Sequence, residues 1–308
     1  MSKFKIGFVP HQSIDRKQTA AGTRIRVLNI VKYLDNAILS YDFEDLKDCD
    51  VVIFQARWLA TDIGLAKKLY NLGIRLLFDT TDPHWDTVNF DTSQKRKEAL
   101  EQILKYVDVL TFPTEELKNS FLSWRQDKRV EIIPDNIDLE KHTATKFHKD
   151  REIYTICWYG CRSNVCQIDL ARSDLEKLGL EFKLRFIAIY DTNYGIKLVP
   201  PKNVEYIERE WTDEITIASI LESDIVINPR YDNWKRYKSN NKTIKAMALG
   251  VPCVERNFYS EIKRYLLSAE LRNEVGVRGK ETTKNFDSKI IAKRLLKLCI
   301  EIRKANYK

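Results

Sequence analysis

No apolar run in this 308-residue chain approaches the ~20 residues that a membrane-spanning helix needs. The opening residues, MSKFKIGFVPHQ, lack the long apolar centre of a secretory leader and read instead as a strand. Paired Cys-x2-Cys spacings are missing too. Cys157, Cys161 and Cys166 fall near one another without that spacing and without a neighbouring histidine, which argues against a zinc site, and no metal is expected. No G-x-G-x-x-G follows the first strand, which argues against a nicotinamide enzyme. Internal repeats and low-complexity tracts are likewise missing. These absences lead by elimination to the expectation of a cytoplasmic protein. Its six cysteines (Cys49, Cys157, Cys161, Cys166, Cys253 and Cys299) are then expected as reduced, buried thiols.

The residues present describe a globular chain, with 44% hydrophobic and 31% charged residues. One hydrophobic core seldom grows to this length, so two domains are expected. The formal net charge of +8 favours a polyanionic partner. Nucleotide phosphates, nucleic acid and an anionic membrane surface all satisfy it.

Strands and helices alternate along the N-terminal half. Strands are expected at Lys5–Val9, Val51–Gln55, Ile74–Phe78, Asp108–Phe112 and Val130–Ile133. Helices are expected at Thr23–Leu34, Asp62–Leu72 with Gly73 as its stop, Ser93–Val107, and from Thr114 onward. The polar stretch Asp135–Arg151 reads as a linker. Beyond it the alternation restarts with strands at Tyr154–Tyr159, Leu184–Tyr190, Val204–Ile207, Ile225–Asn228 and Pro252–Glu255. Helices there are Cys166–Leu178, Asp213–Leu221 and Asn241–Leu249. A basic helix from about Ser288 closes the chain, with Ile291, Leu295, Leu298 and Ile302 as its apolar stripe. This pattern predicts an α/β fold with an N-terminal domain at 1–140, a second at 150–287, and a C-terminal helix at 288–308 that crosses back to the first domain. Ligands of such sheets gather at the C-terminal ends of the strands.

Four strand-end stretches carry candidate chemistry. In DIVINPRYDNWKRYKSNNKTIKAMALGVPCV, Asp224–Val254, a strand gives way to a basic loop with Arg230, Lys235, Arg236 and Lys238. Ser239 or Asn240 can cap the helix that follows, and Asn241 and Lys242 open it. A helix start offers free N–H groups and partial positive charge, which suit a diphosphate, and the lysines and arginine add charge-assisted bonds. A solvated basic loop before an ordinary core helix would look the same. In ICWYGCRSN, Gly160 permits close approach and Arg162 offers a fork of donors; a plain strand-to-helix turn is the alternative. In QTAAGTRIR, Gln18–Arg26, the residues Gly22, Thr23, Arg24 and Arg26 follow the first strand. In DTTDPHW, Asp79, Asp82 and His84 could orient an acceptor hydroxyl or take its proton, or form only a turn and a packed side chain.

The Asp224–Val254 segment resembles the donor-binding motif of GT-B glycosyltransferases, especially the family-4-like group (glycosyl transferases group 1). Ser239, Lys242, Ala246, Met247, Gly250 and Pro252 match that motif, and SDIVINP resembles the strand before it. Two positions depart from it. The family's ribose-holding glutamate corresponds to Lys245, and the acidic residue expected eight positions earlier falls on Tyr237.

The resemblance implies two Rossmann-like parallel-sheet domains facing across a cleft. It also implies an enzyme, a hexosyl- or pentosyltransferase, that moves a sugar from a nucleotide-sugar donor to an acceptor hydroxyl with retention and without metal. The nucleotide sugar is a co-substrate, and no other cofactor is implied. Gly22, Thr23, Arg24, Gly160, Arg162, Arg230, Lys238, Ser239, Asn240, Asn241, Lys242 and Lys245 fall on the donor side, and Asp79, Asp82 and His84 on the acceptor side. The acceptor is a saccharide or lipid-linked glycan; peripheral contact to an anionic membrane is a separate expectation, which rests on the basic net charge. Two alternatives stand beside it. One is transfer to a hydroxymethylated base in DNA, which the charge and exposed-looking Trp85 and Trp234 permit. The other is a non-catalytic GT-B binding protein, for which Lys245 argues.

Overall fold

The computed structural model describes residues 4–12, 20–88, 92–192, 198–230 and 237–305. Gln18 and Thr19 of the first glycine-containing loop, and Trp234, Lys235 and Arg236 of the basic loop, lie outside the described residues. The chain divides into two compact units. The first comprises residues 1–138, 233–239 and 286–308; the second comprises 139–232 and 240–285.

The first unit is built on a six-stranded sheet of order β2-β1-β3-β4-β5-β6: Ala37–Leu39, Ile6–Val9, Val51–Gln55, Arg75–Asp79, Val109–Phe112 and Arg129–Ile132. Every pairing is parallel. The central strands are apolar on both faces because helices cover both. Val52, Phe54, Leu76 and Phe78 pack against helices Ala60–Asn71, Gln94–Leu104 and Glu115–Trp124. Their alternating neighbours, Val51, Ile53 and Leu77, pack against Val27 and Ile30 and against Ile291, Leu295, Leu298 and Ile302 of the last helix, Ser288–Lys304. That helix is fixed at its start. Ile137 forms a parallel bridge with Asp287, and the Ser288 hydroxyl donates to Asn136 Oδ1 at 2.7 Å.

The second unit has a five-stranded parallel sheet of order β11-β10-β7-β8-β9: Cys253–Val254, Ile225–Ile227, Tyr154–Tyr159, Leu184–Tyr190 and Glu205–Glu210. Ile156 and Trp158 face helices Asp169–Glu181 and Phe258–Leu266. Cys157 and Tyr159 face the side that holds Ile220 of Asp213–Glu222 and Ala246 of Asn241–Ala248. Gly250 follows the latter helix at φ 75°, a conformation that suits glycine as a helix stop.

Both sheets reverse their strand order once, between β1 and β3 and between β7 and β10. In open parallel sheets a ligand crevice forms at the C-terminal ends of the strands beside such a reversal.

The structure departs from the sequence expectations in several places. The first helix is interrupted: α-helical ends at Ala21–Thr23 and Asn29–Val31 flank a π turn at Arg24–Leu28. A 3-10 stretch, Arg162–Ile168, precedes the helix expected from Cys166. The stretch between β11 and the last helix holds two further helices, Phe258–Leu266 and Ala269–Thr283. Not every thiol is buried: Cys161 and Cys166 are exposed and Cys253 is half-buried. Trp85 is buried, not exposed, stacked on Trp124 with its indole N–H donating to Ser120. Among the described residues no helix is long and apolar enough to cross a membrane.

Candidate functional site

In the second unit, the ends of β7 and β10 and the start of helix Asn241–Ala248 bring Gly160, Arg230, Asn240, Asn241 and Lys242 together, whereas Gly22, Thr23, Arg24, Lys238 and Ser239 belong to the first unit. Gly160 follows β7 beside the fully buried Trp158. A Cβ at Gly160 would stand 2.9 Å from both the Lys242 ammonium and the Trp158 ring, so the position has no room for a side chain. The Lys242 ammonium lies 4.9 Å from the Trp158 ring centroid and 5.8 Å from that of Tyr159. A cation over aromatic faces is held by the ring quadrupole. The Tyr159 hydroxyl donates to the Lys242 carbonyl at 3.0 Å, tying the helix start to the strand end. Asn240 takes the N-cap position without a side-chain capping bond.

Arg230, just past β10, reaches Glu255 at 3.3 Å and the Asn240 side-chain oxygen at 3.5 Å. Glu255 also accepts from Asn228 at 3.2 Å and from the Thr243 hydroxyl. Arg162 sits half-buried in the 3-10 stretch after Gly160. Lys245 is turned to a carboxylate of its own unit: its ammonium donates to Asp213 at the start of helix Asp213–Glu222.

The first unit holds the acceptor-side candidates at the ends of β1, β3, β4 and β6. Arg26, from the π turn, is the hub of a buried network. Its guanidinium grips both oxygens of Asp79, with Nε donating to Oδ2 at 3.0 Å, and reaches Asp135 at 3.2 Å. The Thr111 hydroxyl also donates to Asp79. Burial alone would lower the pKa of Arg26. The charges and hydrogen bonds of Asp79 and Asp135 outweigh it, and the guanidinium is held above its ordinary value. Asp79 therefore lies beneath the surface with both oxygens engaged.

In the loop after β4, Asp82 is half-buried and His84 is buried. Asp82 pairs with Lys238, and Asp135 accepts from the Ser239 hydroxyl. Tyr237 donates to Asp86 at 3.2 Å. Three consecutive residues of the basic loop thus each meet an aspartate of the first unit. His84 packs on Trp58, ring centroids 4.4 Å apart. Burial pushes its pKa down to about 4, with Arg96, His11 and Lys238 acting in the same direction against Asp82. Its imidazole is neutral near pH 7.

Thr23, Gly22 and Arg24 open the first helix. The Thr23 hydroxyl donates to Gln55 Oε1 at 3.2 Å, and a Cβ at Gly22 would stand 3.3 Å from the Gln55 amide nitrogen.

Sequence reasoning did not place Gln55, His11 or Trp58 among the site residues. Gln55 is buried at the end of β3 and also accepts from the His11 backbone N–H at 2.8 Å. His11 Nδ1 stands 2.9 Å from the carbonyl of Ala56, which requires a proton on Nδ1. Ala56 itself has φ 48°, a left-handed conformation uncommon outside glycine. The signal available beforehand was positional: His11 stands two residues past β1 and Trp58 three past β3.

No protein-family model matches the chain, and no curated protein sequence matches it. Solved structures do. A glycosyltransferase from Rickettsia africae is 14% identical with a TM-score of 0.69, over 99% of this chain and 100% of that one. HepE of Anabaena, in complex with UDP, is 10% identical with a TM-score of 0.68, over 97% of this chain and 100% of its own. An α-glucosyltransferase, in complex with UDP and a 13-mer DNA containing an HMU base, is 13% identical with a TM-score of 0.64, over 97% and 100%. These likenesses define the architecture: the chain has the two-sheet α/β fold of the GT-B class.

Proposed function

We propose that the protein is a glycosyltransferase that takes a sugar from a nucleoside diphosphate sugar and passes it to an acceptor hydroxyl. The observation that carries this reading is Lys242. Its ammonium stands over Trp158 at the end of β7, beside a glycine with no room for a side chain and at the start of a helix. Unpaired helical N–H groups, a fixed cation and a close backbone approach are what a diphosphate requires. Arg162 and Arg230 are assigned to the same anion, Gly160 and Asn241 to its backbone contacts.

The departing nucleoside diphosphate gains negative charge as the glycosidic bond breaks, so these cations act most strongly in the transition state. Transfer with retention and without metal is part of the proposal. The acceptor side is assigned to the first unit. Asp82 orients the acceptor hydroxyl, neutral His84 shapes the site, and Asp79 acts through Arg26 as a positioning residue. Lys238 balances the charge of Asp82, and Ser239 fixes Asp135. The proposed acceptor is a saccharide or lipid-linked glycan. The net charge of +8 also suits a DNA acceptor with a hydroxymethylated base, so both classes belong in the assay.

The test is calorimetric titration of uridine, guanosine, adenosine and cytidine diphosphates into the wild type and Lys242→Ala. Loss of one charge-assisted contact should weaken the preferred nucleotide by about 1.5–3 kcal/mol, with the melting curve unchanged. Equal affinity for both proteins would sink the assignment.

A further inference from the structure

The last helix, Ser288–Lys304, divides its two sides sharply. Ile291, Leu295, Leu298, Cys299 and Ile302 are buried in the first unit. Lys289, Lys293, Arg294, Lys297, Arg303 and Lys304 are exposed, against the single acidic Glu301. At about 100° per residue, Lys289, Lys293, Lys297 and Lys304 fall within an arc of about 80° whose centre lies opposite the buried face. From Lys289 to Lys304 that line of ammonium groups runs about 22 Å. Arg303 is turned toward Asp50 at 3.5 Å; the four lysines have no ion-pair partner among the described residues.

Helix stability alone does not select this pattern. Lys289 stands in the first turn, where the helix dipole disfavours a cation, and no acidic residue accompanies it in that turn. Lysines stacked one turn apart also repel one another. The arrangement gains from an anion outside.

We propose that this outer face is a docking surface for an anionic lipid bilayer. A helix lying flat on a sheet offers one outward side, and a plane of phosphate headgroups meets all four lysines at once. A duplex groove would enclose the helix flanks as well, and there Glu301 would meet phosphate. No aromatic side chain stands on the outward face to stack a base. Because the apolar side is already buried in the sheet, attachment is electrostatic and peripheral, without insertion. It is therefore salt-sensitive. The surface is independent of the donor site and stands or falls apart from it.

The experiment is co-sedimentation of the full chain with vesicles of phosphatidylcholine alone and of phosphatidylcholine mixed with phosphatidylglycerol, at low and high sodium chloride. Three proteins are compared: wild type, the K289Q/K293Q/K297Q variant, and a control, K149Q/K177Q/K202Q, which removes equal charge from exposed positions of the second unit. Melting curves check that all three are folded. The wild type and the control should sediment only with the anionic vesicles at low salt. The helix variant should lose affinity on the order of a hundredfold. A wild type that stays in solution, or equal losses in helix variant and control, overturns the proposal. Retention of the wild type by a mixed-sequence DNA duplex, lost in the helix variant and without vesicle binding, overturns it in favour of a nucleic-acid surface.

Discussion

His84 carries a titration that can be read in stability. Its folded pKa of about 4 lies below its ordinary 6.5, so as pH falls the unfolded chain takes the proton first. The stability tied to the neutral ring is present above pH ~6.5 and drains away as pH approaches ~4. His84→Gln should flatten that slope. Denaturant unfolding of both proteins at pH ~7 and ~5 measures it, and parallel losses would show that His84 is not the group responsible. Lys245 makes a second case at this scale. Its charge is engaged by Asp213, with side chains 17% and 31% exposed. Lys245→Glu should cost about 1 kcal/mol of stability, and Lys245→Glu with Asp213→Lys should recover most of it. Nucleoside diphosphate affinity should stay within about threefold, below 1 kcal/mol. A larger loss of affinity, measured by calorimetry, would place Lys245 on the donor.

Among elements, the π turn at Arg24–Leu28 matters most, because it sets Arg26 under the ends of β4 and β6. Arg26→Met would strand Asp79 and Asp135 as buried, uncompensated carboxylates. Removing one partner of such a pair costs about 3–5 kcal/mol. Urea unfolding of that variant tests it, and a loss below ~1 kcal/mol would mean the network is not what fixes the strand ends. The strands were legible from sequence because runs such as VVIF at Val51–Phe54 are buried on both faces, and continuous apolarity is that signature. The interrupted first helix was not, because its apolar spacing at Val27 and Ile30 fits a regular helix equally well. Lys242 and Gly160 could be picked out as a pair of local motifs, one after a strand and one at a helix start. The engagements of Asp79, Lys245 and Lys238 could not, because each partner lies in a distant part of the sequence and answers to tertiary packing alone.

At the scale of the whole molecule, the first unit closes only with the last helix, whose Ile291, Leu295, Leu298 and Ile302 cover one face of its sheet. A chain ending at Asn285 should keep the second unit's sequence whole and still be insoluble, because the part of that sheet face covered by Ile291, Leu295, Leu298 and Ile302 is laid bare. Recovery of a soluble truncated chain with a two-state melting curve would contradict this.

The same interleaving sets a clock on synthesis. Residues 139–285, of which only 233–239 belong to the first unit, must pass through the ribosome before that unit's last segment appears, which at ~5–20 residues per second takes roughly 7–30 s. The second unit's last contiguous residues emerge before the first unit's do, so the domain that begins the chain is the one completed last. For those seconds a nascent sheet waits with Val51, Ile53 and Leu77 covered only in part, by Val27 and Ile30, and a chaperone that shields it has its longest opportunity on this half of the protein.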